Sequence, residues 1–181
     1  MDHKSQGILI NLAGNGNYKN PDAVEKVIRY ITRTNGQAEE DLIAWGGLGV
    51  TEFAGVEEVI RQFHCVQGEY CRKGEFGRRM DHEVFSLSEE AERDILKVPI
   101  DLDGMARDMA RDIYEEDCCQ VVYGIHRPDK SSGRIHIHFG INTVDFETIR
   151  KRRENKRKTK EREARFGRIV EEKIRGCSER K

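Results

Sequence analysis

Three histidines lie within one short stretch of this sequence. His136 and His138 are two residues apart in the run GRIHIHFGIN, and His126 ends the preceding apolar run, CQVVYGIH. Side chains of a β-strand alternate between its two faces, so His136 and His138 would point the same way, with their Cα atoms about 7 Å apart. If RPDKSSG forms the turn of a hairpin, His126 lies across from Arg134 or close to it, on that same face. The pattern predicts three imidazole rings on one surface.

Three neutral imidazoles that leave coordination positions open are typical of a catalytic metal site. The alternative is that these histidines are surface or core residues satisfied by ordinary hydrogen bonds. An H-x-H pair with a third histidine on the same hairpin favours the metal. The ligand type alone suits Zn, Ni, Cu or Mn, whereas cellular abundance and open positions for oxygen favour Mg or Mn. We therefore expect a divalent metal, Mg or Mn in the cell, with Ni and Zn as alternatives.

A tyrosine is the second group that could take part in chemistry. The segment PDAVEKVIRYITRTNG reads as a helix whose apolar stripe runs from Val24 to Ile31, and Tyr30 lies off the centre of that stripe. A phenol beside a metal cation has its pKa lowered from about 10, which makes the phenolate accessible as a nucleophile. Tyr30 is a possible nucleophile, and Tyr18 in the preceding Gly/Asn-rich loop is the alternative.

The remaining periodicity predicts the elements that position these groups. The order β-α-α-β-α-β-β, which ends in a hairpin, predicts an α+β fold with a mainly antiparallel central sheet and flanking helices. Residues 36–56 are Gly-rich and read as a long irregular connection, either a mobile lid or a loop with short elements of its own. The predicted strands cover residues 7–13, 82–88, 119–126 and 134–144, and the predicted helices cover about 20–34, 56–70 and a segment that begins at 99 or 101.

The formal net charge of −1 conceals a split between the two parts of the 181-residue chain. Residues 150–181 hold 15 basic and 6 acidic residues, a net charge of +9, which leaves −10 for residues 1–149. A basic segment of this kind suits a phosphate backbone, and a solvated helix laced with ion pairs is the alternative. We therefore divide the chain into a domain at 1–148 and a basic helical segment at 149–181.

The sequence contains no apolar run approaching the roughly 20 residues that span a bilayer. Its first residues, MDHKSQG, lack the apolar core of a signal peptide. We therefore expect a cytoplasmic protein without a membrane segment.

Three motifs together resemble those of the conjugative relaxases, a branch of the HUH endonucleases. The run HRPDKSSGRIHIHFGIN at 126–142 resembles the third relaxase motif, a histidine and a nearby aspartate followed by H-x-H and an asparagine. The run VIRYITRTNG at 27–36 resembles the first motif, in which a tyrosine is the nucleophile, and HEVFSLSEE at 82–90 resembles the second, a strand that contacts DNA. The matches occur in the family's order and cover roughly residues 25–145.

The resemblance implies a minimal nuclease unit with an RRM-like core at residues 1–148. Its activity would be metal-dependent, site-specific nicking and rejoining of single-stranded DNA through a 5′-phosphotyrosyl link, in the mobilisation of a plasmid or integrative element. Asp129 would orient a metal-bound histidine, and Asn142 would hold a ligand or the DNA backbone. The partners would be single-stranded DNA at an origin-like site and accessory DNA-binding proteins. The residues implied in DNA contacts are His82, Ser86, Arg78, Arg79, Arg150, Lys151, Arg152 and Arg153.

Other interpretations remain open at the level of sequence. A rolling-circle replication initiator or a transposase would share the same chemistry. A metal-dependent hydrolase would use an activated water instead of a tyrosine. A non-catalytic DNA-binding accessory protein would leave the hairpin histidines idle.

Overall fold

The central element of the fold is a five-stranded sheet in which every pair of neighbouring strands is antiparallel. A computed structural model describes residues 5–12, 18–36, 38–71, 77–129 and 132–179. The strand order is β1-β3-β5-β4-β2, and a two-stranded ribbon, β6-β7, follows the sheet. The strands are β1 Gly7–Asn11, β2 Leu42–Leu48, β3 Met80–Leu87, β4 Val121–His126, β5 His136–Asn142, β6 Val144–Asp145 and β7 Arg150–Lys151.

Helices cover both faces of this sheet, so the predicted α+β fold with a mainly antiparallel sheet and flanking helices is confirmed. One face packs against α1 and α2 through an apolar cluster that includes Ile28 and Phe63. The other face packs against α3, α4 and α5 around Phe85, Phe139 and Phe166. The helices are α1 Ala23–Ile31, α2 Val56–Cys71, α3 Glu89–Ile95, α4 Leu102–Asp117 and α5 Lys156–Ser178.

Helix α1 approaches the sheet unusually closely. A Cβ atom added to Gly124 would lie 2.2 Å from the carbonyl oxygen of Ile31, so only glycine leaves room for the helix end there. The predicted continuation of this helix to about Thr34 is wrong. The helix ends at Ile31, and Arg33 takes a left-handed backbone conformation with φ of 54°. The last turn of α1 is therefore fixed directly above strand β4.

In the hairpin of β4 and β5, the partner of His126 lies close to Arg134, as predicted, but two residues further along the chain. His126 lies opposite His136 rather than opposite Arg134. A shift of two residues keeps each side chain on its original face, so the predicted common face of the three histidines survives the change. Residues 130 and 131 of the predicted turn, and residues 13–17 of the Gly/Asn-rich loop, lie outside the described residues.

Residues 36–56 follow the second of the two predicted alternatives, a connection with short elements of its own, but one of these elements is a strand of the central sheet. Strand β2 occupies Leu42–Leu48 and forms an edge of the sheet beside β4. Its adjacent glycines concealed it, because glycine weakens a strand pattern. At Gly46 the missing side chain has a packing reason: a Cβ atom there would lie 2.5 Å from the Tyr123 hydroxyl oxygen. Helix α3 was likewise not predicted.

Helix α5 closes the face of the sheet opposite α1 and α2. Phe166 meets Phe85 and Phe139 with ring centroids 5.5 and 5.3 Å apart. Along the edge of the sheet, the backbone amide of Leu9 donates to the Glu163 carboxylate over 2.8 Å. None of the helices among the described residues combines the length and the apolar character needed to cross a membrane.

A buried ion network joins this helix to the sheet. Arg162 is fully buried and donates to both carboxylate oxygens of Glu83 on β3, at 2.9 and 3.0 Å. Burial alone would raise the pKa of Asp117, but the nearby Arg152 and Arg162 guanidinium groups outweigh it and hold that pKa below its usual value. The network therefore joins residues on both sides of position 148 and ties the basic C-terminal segment to the sheet.

Replacing Arg162 by methionine should lower the free energy of unfolding by about 3 kcal/mol, because Glu83 and Asp117 lose a buried counter-charge. Urea unfolding at neutral pH measures the change. Arg168→Ala is the matched control on the exposed face of the same helix and should stay within about 0.5 kcal/mol of wild type. Equal stability of Arg162→Met and wild type would show that the network contributes no net stability.

Candidate metal centre and active site

The three predicted histidines meet in one buried cluster on the face of the sheet that carries α1. One ring nitrogen from each of His126, His136 and His138 lies within 4.8 Å of the other two. Their ring centroids are 4.5 to 5.4 Å apart, and none of the three residues is more than 3 % exposed. Adjacent antiparallel strands produce this arrangement because opposed and alternate residues share one face.

Two of these rings are oriented by backbone carbonyl groups. His126 Nε2 donates to the Ile31 carbonyl at 2.8 Å, and His136 Nδ1 donates to the Arg134 carbonyl at 2.8 Å. A carbonyl only accepts, so each imidazole carries its proton on the bonded nitrogen. The remaining nitrogens, His126 Nδ1 and His136 Nε2, are buried lone pairs without a hydrogen-bond partner among the described residues.

The third ring has a different neighbour. His138 Nδ1 lies 2.9 Å from Nε2 of His82, while His138 Nε2 is buried and has no partner in the described parts of the chain. The cluster therefore contains one partnerless ring nitrogen from each of three histidines. Buried polar atoms are rarely left unsatisfied, and three lone pairs directed at one region fit a cation.

Burial favours the neutral form of three of these histidines, His82, His126 and His138. Removal from water lowers the pKa of His82 and His126 to about 4, and the other histidines contribute in the same direction. Burial also lowers the pKa of His138 well below its ordinary value. A metal would therefore meet little competition from protons at neutral pH.

Tyr30 packs against this cluster from the last turn of α1. Its ring centroid lies 5.2 Å from that of His138, 5.9 Å from His82 and 6.0 Å from His126. The residue is half-buried, so its phenol borders the histidines and the solvent. The structure thus brings the predicted nucleophile beside the predicted metal ligands.

Tyr18 also reaches the cluster, at its outer side. Its hydroxyl lies 3.2 Å from Nδ1 of His82, and the two ring centroids are 6.0 Å apart. Burial, together with the proximity of Tyr30, raises the pKa of Tyr18, which disfavours its phenolate.

Arg33 is a functional candidate that the sequence analysis missed. Its guanidinium carbon lies 4.8 Å from the centroid of the Tyr30 ring, and the residue is only 6 % exposed. Nη2 is 3.3 Å from Asp129 Oδ2, whereas Nε has no partner within the described residues. Local spacing offered no signal for this contact, because it depends on the left-handed backbone of Arg33 after the end of α1.

Asp129 lies at the cluster, but on a different side from the predicted one. Its Oδ2 is 3.8 Å from His136 Nε2, the partnerless nitrogen, while the other nitrogen of that ring bonds to Arg134. The carboxylate is held in place by the backbone amide of Ser132, which donates to Oδ1 at 2.8 Å. Asp129 therefore faces the region enclosed by the histidines instead of supporting His136 from behind.

Asn142 does not lie in the histidine cluster. It is fully buried, and its amide donates to the Phe63 carbonyl at 3.2 Å and to Gln120 Oε1 at 2.8 Å. Its Oδ1 accepts from Gln67 at 3.1 Å. The implied role in holding a ligand or DNA is a misreading, because these contacts instead tie helix α2 to the sheet.

The implied DNA contacts on strand β3 have two different environments. His82 is 4 % exposed and hydrogen-bonded within the cluster, which leaves little of its ring available to DNA. Ser86 lies opposite His136 in the sheet, and its hydroxyl is 3.0 Å from that of Ser132.

The basic residues that the resemblance implied in DNA contacts differ in their exposure to solvent. Arg150 and Arg153 are exposed, and Lys151 is half-buried with its amine 2.8 Å from the Thr143 hydroxyl. Arg78 and Arg79 are half-buried just before β3, where Arg78 donates to Asp81 at 3.0 Å. Arg152 differs from this group because its buried guanidinium bonds to four carboxylates, which corrects its assignment to DNA. Those carboxylates belong to Asp81, Glu83, Asp117 and Glu154.

Comparisons with known proteins agree with this arrangement. A family model described as "Relaxase: MobA/VirD2-like, nuclease domain" matches residues 19–173. Among solved structures, the chain is similar to the conjugative relaxase TrwC, determined in complex with oriT DNA in a metal-bound form, with a TM-score of 0.53 and 11 % identity. The match covers 96 % of this chain and 70 % of that one, and at this identity it shows a shared fold. No curated protein matches the sequence significantly.

The metal-free protein should lose stability as the pH falls from about 6.5 towards 4. The pKa of His126 is about 4 in the folded state, against about 6.5 in an unfolded chain, so the unfolded chain binds more protons between these values. Each such histidine should remove on the order of 1 kcal/mol between pH 7 and 5.5. Urea unfolding at pH 7.5, 6.5 and 5.5 measures this slope. An equally steep slope in His126→Gln would contradict the assignment.

Proposed function

Because this chain belongs to the MobA/VirD2-like relaxase nuclease family, we propose that it nicks and rejoins single-stranded DNA at a specific site, using a divalent metal and a transient covalent bond to Tyr30. The observation that carries this proposal is the position beside the Tyr30 ring of three imidazole nitrogens that have no partner among the described residues. The biological setting would be the mobilisation of a plasmid or integrative element, in the cytoplasm, with accessory DNA-binding proteins as further partners.

His126, His136 and His138 would hold the metal through Nδ1, Nε2 and Nε2, the nitrogens that have no other partner among the described residues. Three nitrogen ligands leave positions open for phosphate oxygens, which suits Mg or Mn in the cell and admits Ni or Zn. A divalent ion at this point would polarise the scissile phosphate. Asp129 faces the same region and is placed to accept a hydrogen bond from water there.

Tyr30 would supply the attacking oxygen. Its phenolic oxygen forms a bond to the phosphorus, the bond from phosphorus to the 3′ oxygen breaks, and the phenolic proton leaves to solvent. The departing 3′ oxygen takes up a proton, which leaves a free 3′-hydroxyl and a 5′-phosphotyrosyl link. One phosphodiester replaces another, so the step reverses without a nucleotide cofactor.

Arg33 would support this attack electrostatically. Its cation lies 4.8 Å from the centroid of the Tyr30 ring, beside the position where the phosphate would be attacked. The guanidinium is almost fully withdrawn from solvent, and Nε has no partner among the described residues, so one donor remains for a phosphate oxygen.

The DNA would cross the sheet beside the histidines. On edge strand β1, Ile8 and Ile10 are 61 % and 50 % exposed. Ile8 is opposite Ser86, which is opposite His136, so the apolar surface continues into the cluster on one face. Unpaired bases offer flat apolar surfaces that suit such side chains, and Ser86 would contact the backbone between them. Phosphate contacts would come from Arg78, Arg79, Arg150, Lys151 and Arg153.

Tyr30→Phe should abolish the covalent protein–DNA adduct, because no other group at that position can bond to phosphorus. The test incubates the protein with a pool of single-stranded oligonucleotides and Mn²⁺ and detects adducts that withstand boiling in detergent. The cleavage rate of Tyr30→Phe should fall by several orders of magnitude.

Tyr114→Phe is the matched control, since Tyr114 stacks on Phe146 and lies on α4, across the sheet from the histidines. This variant should form the adduct at the wild-type rate. Undiminished cleavage by Tyr30→Phe would rule out Tyr30 as the nucleophile. Cleavage without an adduct would then favour hydrolysis by activated water, and a persisting adduct would favour Tyr18.

Arg33→Gln should reduce the cleavage rate by about 10²- to 10³-fold, because it removes a buried cation beside the nucleophile. Arg33→Lys should recover part of this loss, since it keeps the charge but not the planar group. Arg29→Gln serves as the control one turn earlier, where Arg29 bonds to Glu25 and Glu57 at the surface. A cleavage rate for Arg33→Gln equal to that of Arg29→Gln would exclude Arg33 from the reaction.

A further inference from the structure

His82 is the one member of the histidine cluster whose ring is hydrogen-bonded at both nitrogens by side chains. Nε2 lies 2.9 Å from His138 Nδ1, and Nδ1 lies 3.2 Å from the Tyr18 hydroxyl oxygen. Tyr18, His82 and His138 thus form a hydrogen-bonded chain that ends at His138 Nε2, one of the three partnerless nitrogens.

In this series of hydrogen bonds, the side chains themselves do not fix which atom donates and which accepts, because each imidazole has two possible tautomers. At His126 and His136 a carbonyl acceptor settles which nitrogen carries the proton. At His138 the partner is another imidazole, which either accepts or donates. If His82 donates, His138 Nδ1 holds a lone pair, and Nε2 carries a proton that points at the metal position. If His82 accepts, His138 Nε2 is left with the lone pair.

We infer that His82 is a positioning residue whose Nε2 accepts a hydrogen bond from the Nδ1–H group of His138. This bond leaves the lone pair of His138 on Nε2 and so makes His138 a metal ligand. The Tyr18 hydroxyl oxygen is the acceptor at the far end of this series of hydrogen bonds. This inference rests on the proposed function, because it assumes a metal at the three histidines. Metal-bound histidines characteristically donate their second ring proton to an outer partner that fixes the ring.

Tyr18 supplies the acceptor that the remaining ring proton of His82 requires. A neutral His82 whose Nε2 accepts must carry its proton on Nδ1, and that proton faces the Tyr18 oxygen. The backbone of Tyr18 holds the oxygen in place: its φ is 61°, and its carbonyl accepts from the Arg79 amide at 2.8 Å. Tyr18 therefore serves as a hydrogen-bond acceptor, which differs from the role of nucleophile.

The position of His82 in the sheet accounts for its precise contact with His138. His82 is opposite Gly140 on β5, and Val84, two residues further along β3, is opposite His138. The His82 ring therefore leans diagonally along the strand to reach His138. With 4 % of its surface exposed, the ring has little freedom to turn away.

The test is calorimetric titration of the full chain with Mn²⁺. His82→Phe keeps an aromatic ring but removes the acceptor, and it should weaken binding about 10- to 100-fold. His82→Gln should recover most of this loss, because the Gln side-chain oxygen reaches the position of Nε2. Tyr18→Phe should weaken binding by less than His82→Phe. Urea unfolding of each variant separates loss of affinity from loss of fold, since a merely structural role would lower stability without the rescue by Gln.

A second measurement uses the wild-type protein and needs no substitution. Nitrogen-15 NMR of the Zn²⁺-loaded chain should place the His82 proton on Nδ1, and a proton on Nε2 would overturn the inference. Equal Mn²⁺ affinities of wild type and His82→Phe would overturn it as well, while leaving the proposed function intact. Absence of Mn²⁺ binding by wild type would overturn the proposed metal centre itself, and the role of His82 with it.

Discussion

The close contact between the end of helix α1 and strand β4 is the constraint on which the candidate site depends. Gly124 has no side chain, so the Ile31 carbonyl oxygen comes near enough to accept a hydrogen bond from His126 Nε2. The same contact fixes Tyr30, one residue earlier, over the histidines and turns Arg33, two residues later, onto the Tyr30 ring. A single glycine thus sets the tautomer of one candidate ligand and the position of two candidate reactive groups.

Strand β3 carries opposite chemistry on its two faces. His82 and Ser86 project towards the neutral histidine cluster, whereas Glu83 projects towards the buried arginines of the C-terminal part of the chain. A neutral cluster of lone pairs is suited to receive a cation, and a charged network satisfied by its own members is not. Alternation along one strand keeps these two polar systems apart, with the pleated backbone between them.

The sequence was most informative where one strand or one helix carried the signal. The faces of His136 and His138 follow from strand alternation, and the flank position of Tyr30 follows from helical periodicity. The role of His82 depends on its diagonal contact with another strand, and Arg33 depends on a left-handed backbone after α1; neither is written in local spacing. Strand β2 was missed because paired glycines imitate a loop. Arg152 was misjudged because a charge in a basic tail looks solvated until its partners on the sheet are known.

The bond from Leu9 to Glu163 has a consequence for how the protein behaves towards its own copies. Strand β1 forms one edge of the sheet, and edge strands invite a strand of another molecule to pair with them. The Glu163 carboxylate on α5 already accepts a hydrogen bond from the outward-facing Leu9 amide of that edge, and its negative charge repels the carbonyl oxygen of an incoming strand. The C-terminal helix therefore covers part of the edge at which a strand of another copy would pair, beside the exposed apolar side chains of β1.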